Sequence, residues 1–109
     1  MTRFRKDVDY ISNRIVEVLS NECGNINSYI LPTSPHNLLE IRIGDCYFVV
    51  EFFFKKNSYN DPQMGIFITN GFSPDCLYQD YFTYPIDEDS IVDFVVGEIL
   101  DFINKNNEN

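Results

Sequence analysis

The chain has no tryptophan, one histidine (His36) and only eight lysine and arginine side chains among 109 residues. Each shortage excludes something. The few bases, chiefly Arg3, Arg5, Lys6, Lys55 and Lys56, stand against seventeen acids, so the positive footprint of a nucleic-acid-binding protein is missing. No apolar run approaches the roughly 20 residues needed to cross a bilayer. No apolar segment follows the basic N-terminus, as a secretory signal would require. Cysteines are few, odd in number and far apart at 23, 46 and 76, which suits reduced thiols in a cytoplasmic protein. Glycine-rich phosphate loops, paired CxxC motifs, serine nucleophile elbows and EF-hand spacing are all lacking. No cofactor, metal site or catalytic residue is therefore expected, and the chain is not expected to be an enzyme.

What the chain does have is a core. Its apolar content of 44%, with ten phenylalanines and seven tyrosines, is enough to exclude disorder and to fold one domain over 1–109 without disulfides. The longest apolar stretch, 46–54, divides into two alternating sets. Cys46, Phe48, Val50, Phe52 and Phe54 form a wholly apolar face, whereas Tyr47, Val49, Glu51 and Phe53 carry one charge. This predicts a central antiparallel strand with one covered face. Leu39, Ile41 and Ile43 alternate with Glu40 and Arg42 as a neighbouring strand, and Gly44-Asp45 between them suits a type II′ hairpin. Residues 64–69 read as a further strand. Two segments stay open: 26–31 is a weak strand candidate, and 77–83 is either a fourth strand or a loop laid along the sheet.

Helical spacing brackets this sheet. Phe4, Val8, Ile11, Ile15 and Val18, widened by Leu19, predict an amphipathic helix over 5–20, with Gly24 as its left-handed terminator. Asp87 is a sound N-cap, and Glu88 and Asp89 suit the first turn of a second helix over 87–103. Its apolar stripe is wide, with Ile91, Val95, Ile99 and Phe102 beside Val92, Val96, Leu100 and Ile103; Asn104 to Asn109 should fray. Both helices need the sheet for cover. The expected fold is an α+β two-layer sandwich with an N-terminal helix, three to four antiparallel strands and a long C-terminal helix.

Charge is unevenly spread. Residues 1–74 hold eight acids and seven bases, whereas 75–109 hold nine acids and only Lys105 as a base, so eight of the nine excess negative charges fall in the last third. There, Tyr78, Asp80, Tyr81, Tyr84, Asp87, Glu88, Asp89 and Asp93 combine rigid aromatic contact area with acids that would steer a basic partner. They form the candidate partner-binding site. The plainer reading makes the tyrosines cover for a sheet edge and the acids caps and solubilising charge. Of the remaining reactive groups, His36 reads as an exposed turn residue beside Pro35, and Cys46 as a small hydrophobe in a buried strand. Cys76 is the better reactive thiol, while Cys23, near the first helix's C-terminus, lacks a positive dipole end to activate it. Glu51 is expected to pair with Arg42 on the adjacent strand.

In size, acidity and helix–sheet–helix plan, the chain resembles the immunity proteins of contact-dependent or secreted toxin systems, and also secretion chaperones. The first resemblance implies an acidic inhibitor that neutralises a basic, nuclease-like toxin, whose nucleic-acid cleft must itself be positive. The second implies an adaptor, usually dimeric, whose sheet binds an extended client. A small enzyme is the remaining class, and it would need His36, a cysteine and a carboxylate joined in one pocket.

Overall fold

The computed structural model describes residues 2–32, 37–71 and 76–107. His36 and its turn lie outside the described residues. The first helix, α1 (Thr2–Cys23), is longer at both ends than its apolar spacing predicts. It stops at Gly24, whose φ of 80° lets its N–H reach back to the Ser20 carbonyl at 2.9 Å. The buried stripe is Phe4, Val8, Ile11, Ile15 and Leu19. Leu19, rather than Val18, therefore continues the inward face, and Val18 packs only partly against the core.

Five strands follow: β1 (Asn27–Pro32), β2 (Asn37–Ile43), β3 (Cys46–Lys56), β4 (Pro62–Asn70) and β5 (Cys76–Thr83). They form one antiparallel meander in the order β1-β2-β3-β4-β5. The sheet has five strands rather than three to four because both open segments, 26–31 and 77–83, pair as edge strands. Edge strands bury little, so their side chains carry a weak apolar pattern. Gly44 has a φ of 58° and Asp45 does not share its positive sign, as the type II′ hairpin requires.

The alternation in 46–54 is realised over its middle, 48–52, whereas Cys46 and Phe54 at its ends are half-buried. Phe48, Val50 and Phe52 are fully buried together with Leu39, Ile41, Met64, Ile66 and Ile68 on the flanking strands. Each such side chain contributes about 1.5–3 kcal/mol when removed from water. The second helix, α2 (Glu88–Asn107), buries Ile91, Val92, Val95, Val96 and Ile99 in the same core. It continues through Asn107 instead of fraying from Asn104. Edge-on ring contacts tie the layers together, Phe4 to Phe54 at 5.8 Å and Phe48 to Phe102 at 5.5 Å. Both helices thus lie on one face of the sheet. Among the described residues, no element covers the other face.

Candidate partner-binding surface

The register places the predicted site residues in three separate environments. On β5, Tyr78, Asp80 and Phe82 stand opposite Ile68, Ile66 and Met64, all core-facing, so they point to the helix side. Gln79, Tyr81 and Thr83 point to the open side. Tyr81 is thereby separated from Tyr78 and Asp80, its neighbours in sequence, by the thickness of the sheet.

The first environment is the seam between β5 and α2. The Tyr78 hydroxyl donates to Asp80 Oδ2 at 3.2 Å, and the Tyr81 N–H donates to Asp80 Oδ1 at 2.7 Å. Burial, then the charges of Asp80 and Glu98, push the Tyr78 hydroxyl up to a pKa of about 12. Phe82 meets Phe94 of α2 at 6.0 Å, and Phe94 is 52% exposed. Phe94, Glu98 and Asp101 recur at helical spacing along one flank of α2. Below them, Leu77, Glu98, Asp101, Phe102 and Lys105 line a small cleft of about 140 Å³. The seam therefore has an apolar, aromatic floor and a mostly acidic rim. Asp93 is exposed but stands one turn after Asp89, on the flank of α2 that faces α1, and so lies away from that rim.

The second environment is the start of α2, where the acids are engaged by their own chain. Asp87 caps the helix, accepting from the Ser90 N–H at 3.3 Å and the Ser90 hydroxyl at 2.9 Å. Tyr10 of α1 donates to Asp89 at 2.8 Å. Arg3 lies over the Tyr84 ring, 5.3 Å from its centroid. Burial, followed by the charge of Asp7, raises the Tyr84 hydroxyl well above the usual tyrosine range. Burial and the same Asp7 carboxyl raise Glu88. Tyr84, Glu88 and Asp89 are thus drawn into the contact between α1 and α2 and offer less to a partner than their composition suggests.

The third environment is the open face. Tyr81 joins Phe53 and Phe67 in a cluster with ring centroids 4.9, 5.8 and 6.5 Å apart, and Lys55 lies 4.4 Å over the Tyr81 ring. Gly65, opposite both Phe53 and Tyr81, leaves room for the Phe53 ring to lie across the strand. Glu51 does not pair with Arg42. It faces Leu38 and Phe67, four residues along β3 from Tyr47, the residue opposite Arg42. Arg42 stacks over that Tyr47 at 4.2 Å, and the Tyr47 hydroxyl donates to Glu40. Leu38, Val49, Glu51, Phe67, Thr69, Cys76 and Gln79 line a shallow depression of about 240 Å³.

The thiols stand apart. Cys23 and Cys46 are half-buried and Cys76 is exposed, and burial raises Cys23 rather than activating it. Among the described residues, no group of three histidine, cysteine or carboxylate side chains could hold a metal, and no helix is long and apolar enough to cross a membrane.

Three residues of the seam, Phe94, Glu98 and Asp101, are absent from the sequence-predicted site. Phe94 carried a signal: it is the one large apolar residue of α2 that falls off the buried stripe. Charge is likewise concentrated by element. Four acids balance four bases on α1, whereas α2 carries five acids against one base. No family model, curated protein or solved structure matches the chain.

Proposed function

We propose that this protein is a small acidic inhibitor that binds a basic protein, of the immunity or antitoxin kind that blocks a nuclease-like toxin. The observation that carries this reading is the β5–α2 seam. There an exposed aromatic, Phe94, sits against Phe82 within a rim formed by Asp80, Glu98 and Asp101. Aromatic anchors inside a charged rim are the usual anatomy of a protein-binding patch. The acids would speed encounter with a positive surface and discriminate against acidic partners. A cytoplasmic location goes with this reading, since three unpaired thiols suit a reducing compartment.

The test is affinity capture from native cell extract at low salt. Wild-type protein is compared with a variant carrying Asp80→Lys, Glu98→Lys and Asp101→Lys. The expected result is a basic protein retained in 1:1 stoichiometry by wild type and lost by the variant. Equal retention, or no basic protein at all, overturns the reading. A second reading, an adaptor or chaperone binding an extended client on its sheet, is favoured by the uncovered Phe53–Phe67–Tyr81 cluster. It predicts that Phe67→Lys, and not the seam variant, abolishes capture.

A further inference from the structure

A strand at the end of a sheet leaves half its main-chain groups without a ladder partner, and proteins usually blunt such edges with lysine, proline or a covering element. The two edges here differ. β1 is six residues long and ends in Pro32, whereas β5 is eight residues long with neither lysine nor proline. The register decides which groups of β5 face outward. Tyr84 N–H bonds the Pro62 carbonyl at 3.1 Å, and Phe82, Asp80 and Tyr78 continue the same set opposite Met64, Ile66 and Ile68. Bonded and non-bonded pairs alternate in an antiparallel ladder, so Gln79, Tyr81 and Thr83 turn their N–H and C=O groups away from β4. The Tyr81 N–H finds its acceptor in the adjacent Asp80 carboxylate at 2.7 Å. One carboxylate therefore stands where a neighbouring strand's carbonyl would stand.

From this arrangement we infer that β5 accepts an extended basic segment of the partner as a sixth strand of the sheet. The inference rests on the basic-partner reading above and names its mode. An incoming carbonyl replaces Asp80 at the Tyr81 N–H, and the released carboxylate pairs with a lysine or arginine of the added strand. The groups of Gln79 and Thr83 complete the ladder on either side. Alternate side chains of the added strand fall toward α2, where Phe82 and Phe94 offer apolar contact and Glu98 and Asp101 offer further acid. A second copy of this chain is the poorer occupant. Pairing β5 with β5 would bring together two Asp80 carboxylates and two acidic helices on chains of net charge −9.

The probe is a short, end-blocked peptide of alternating valine and lysine, with its backbone N-methylated counterpart as a control of equal charge. Binding to the full chain is followed at low salt by amide chemical shifts and hydrogen exchange. The plain peptide should protect the amides of Gln79, Tyr81 and Thr83, and the N-methylated peptide should lose at least about tenfold in affinity. Asp80→Asn, an exposed change that spares the fold, should weaken the plain peptide by about tenfold. Equal binding of both peptides without protection of β5 would overturn strand addition while leaving the basic-partner reading intact. No binding of either peptide, or shifts confined to β1 or the open face, would overturn strand addition as well. The basic-partner reading has its own separate test in the capture experiment.

Discussion

Replacing Gly65 by alanine tests how the open face is built. Gly65 lies in the middle of β4, opposite Phe53 and Tyr81. An added Cβ would approach Phe53 Cζ most closely, and would stand 2.5 and 2.6 Å from its Cε1 and Cε2 atoms. Carbon atoms in contact settle roughly 3.5–4.0 Å apart, so the ring must move by about 1 Å or more. It would leave contacts with Phe67 and Tyr81 at 4.9 and 5.8 Å. Each aromatic pair is worth about 0.5–1.5 kcal/mol, and alanine in place of a strand glycine returns about 0.5–1 kcal/mol. The net expectation for Gly65→Ala is a loss of about 1 kcal/mol. With Phe53→Ala already present there is no ring to displace, and the same change should instead stabilise by about 0.5–1 kcal/mol. The double-mutant cycle should therefore show a coupling of about 1.5–2 kcal/mol. Urea unfolding followed by circular dichroism measures it, the chain having no tryptophan to report. A coupling below about 0.5 kcal/mol would refute the claim that this glycine exists to seat Phe53.

Three further outcomes follow from single side chains. Gly97→Ala meets nothing within 4 Å and should gain about 1 kcal/mol of helix propensity, raising Tm by about 4–8 °C in thermal melts. Asp87→Ala removes the acceptor of the Ser90 N–H and should cost about 1 kcal/mol by urea titration. Tyr78 has a folded pKa of about 12 against 10.0 for the free side chain, so the folded state holds its proton longer. Its contribution to stability should be complete below pH 10 and decline as pH rises toward 12; Tyr78→Phe should flatten that part of the pH–stability curve.

Buried elements were legible in the sequence because burial writes a period into the chain. The apolar set of 46–54 and the stripes of both helices declared the α+β layering, the II′ turn and most of the core. The edges were not legible. Cys76–Thr83 buries little and Asn27–Tyr29 is exposed, so no clear period marks these segments, and only their partners β2 and β4 make them strands. The candidate site suffered for the same reason. Without a firm strand at 76–83, the alternation that sends Tyr78 and Asp80 one way and Tyr81 the other was invisible. Composition also hid the ties to α1: nothing local to Tyr84, Glu88 or Asp89 announces Arg3, Asp7 or Tyr10, which come from the far end of the chain. The Glu51–Arg42 pair failed on register, since Arg42 meets Tyr47 instead.

The central claim is that the acidic β5–α2 seam recruits a basic protein. Its most direct test is the association rate with the captured partner, measured across ionic strength for wild type and for the Asp80→Lys, Glu98→Lys, Asp101→Lys variant. Electrostatic recruitment predicts a wild-type rate that falls by tenfold or more as salt screens the seam, and a slower, nearly salt-independent rate for the variant. A wild-type rate indifferent to salt, or a variant that associates as fast as wild type, would contradict the account.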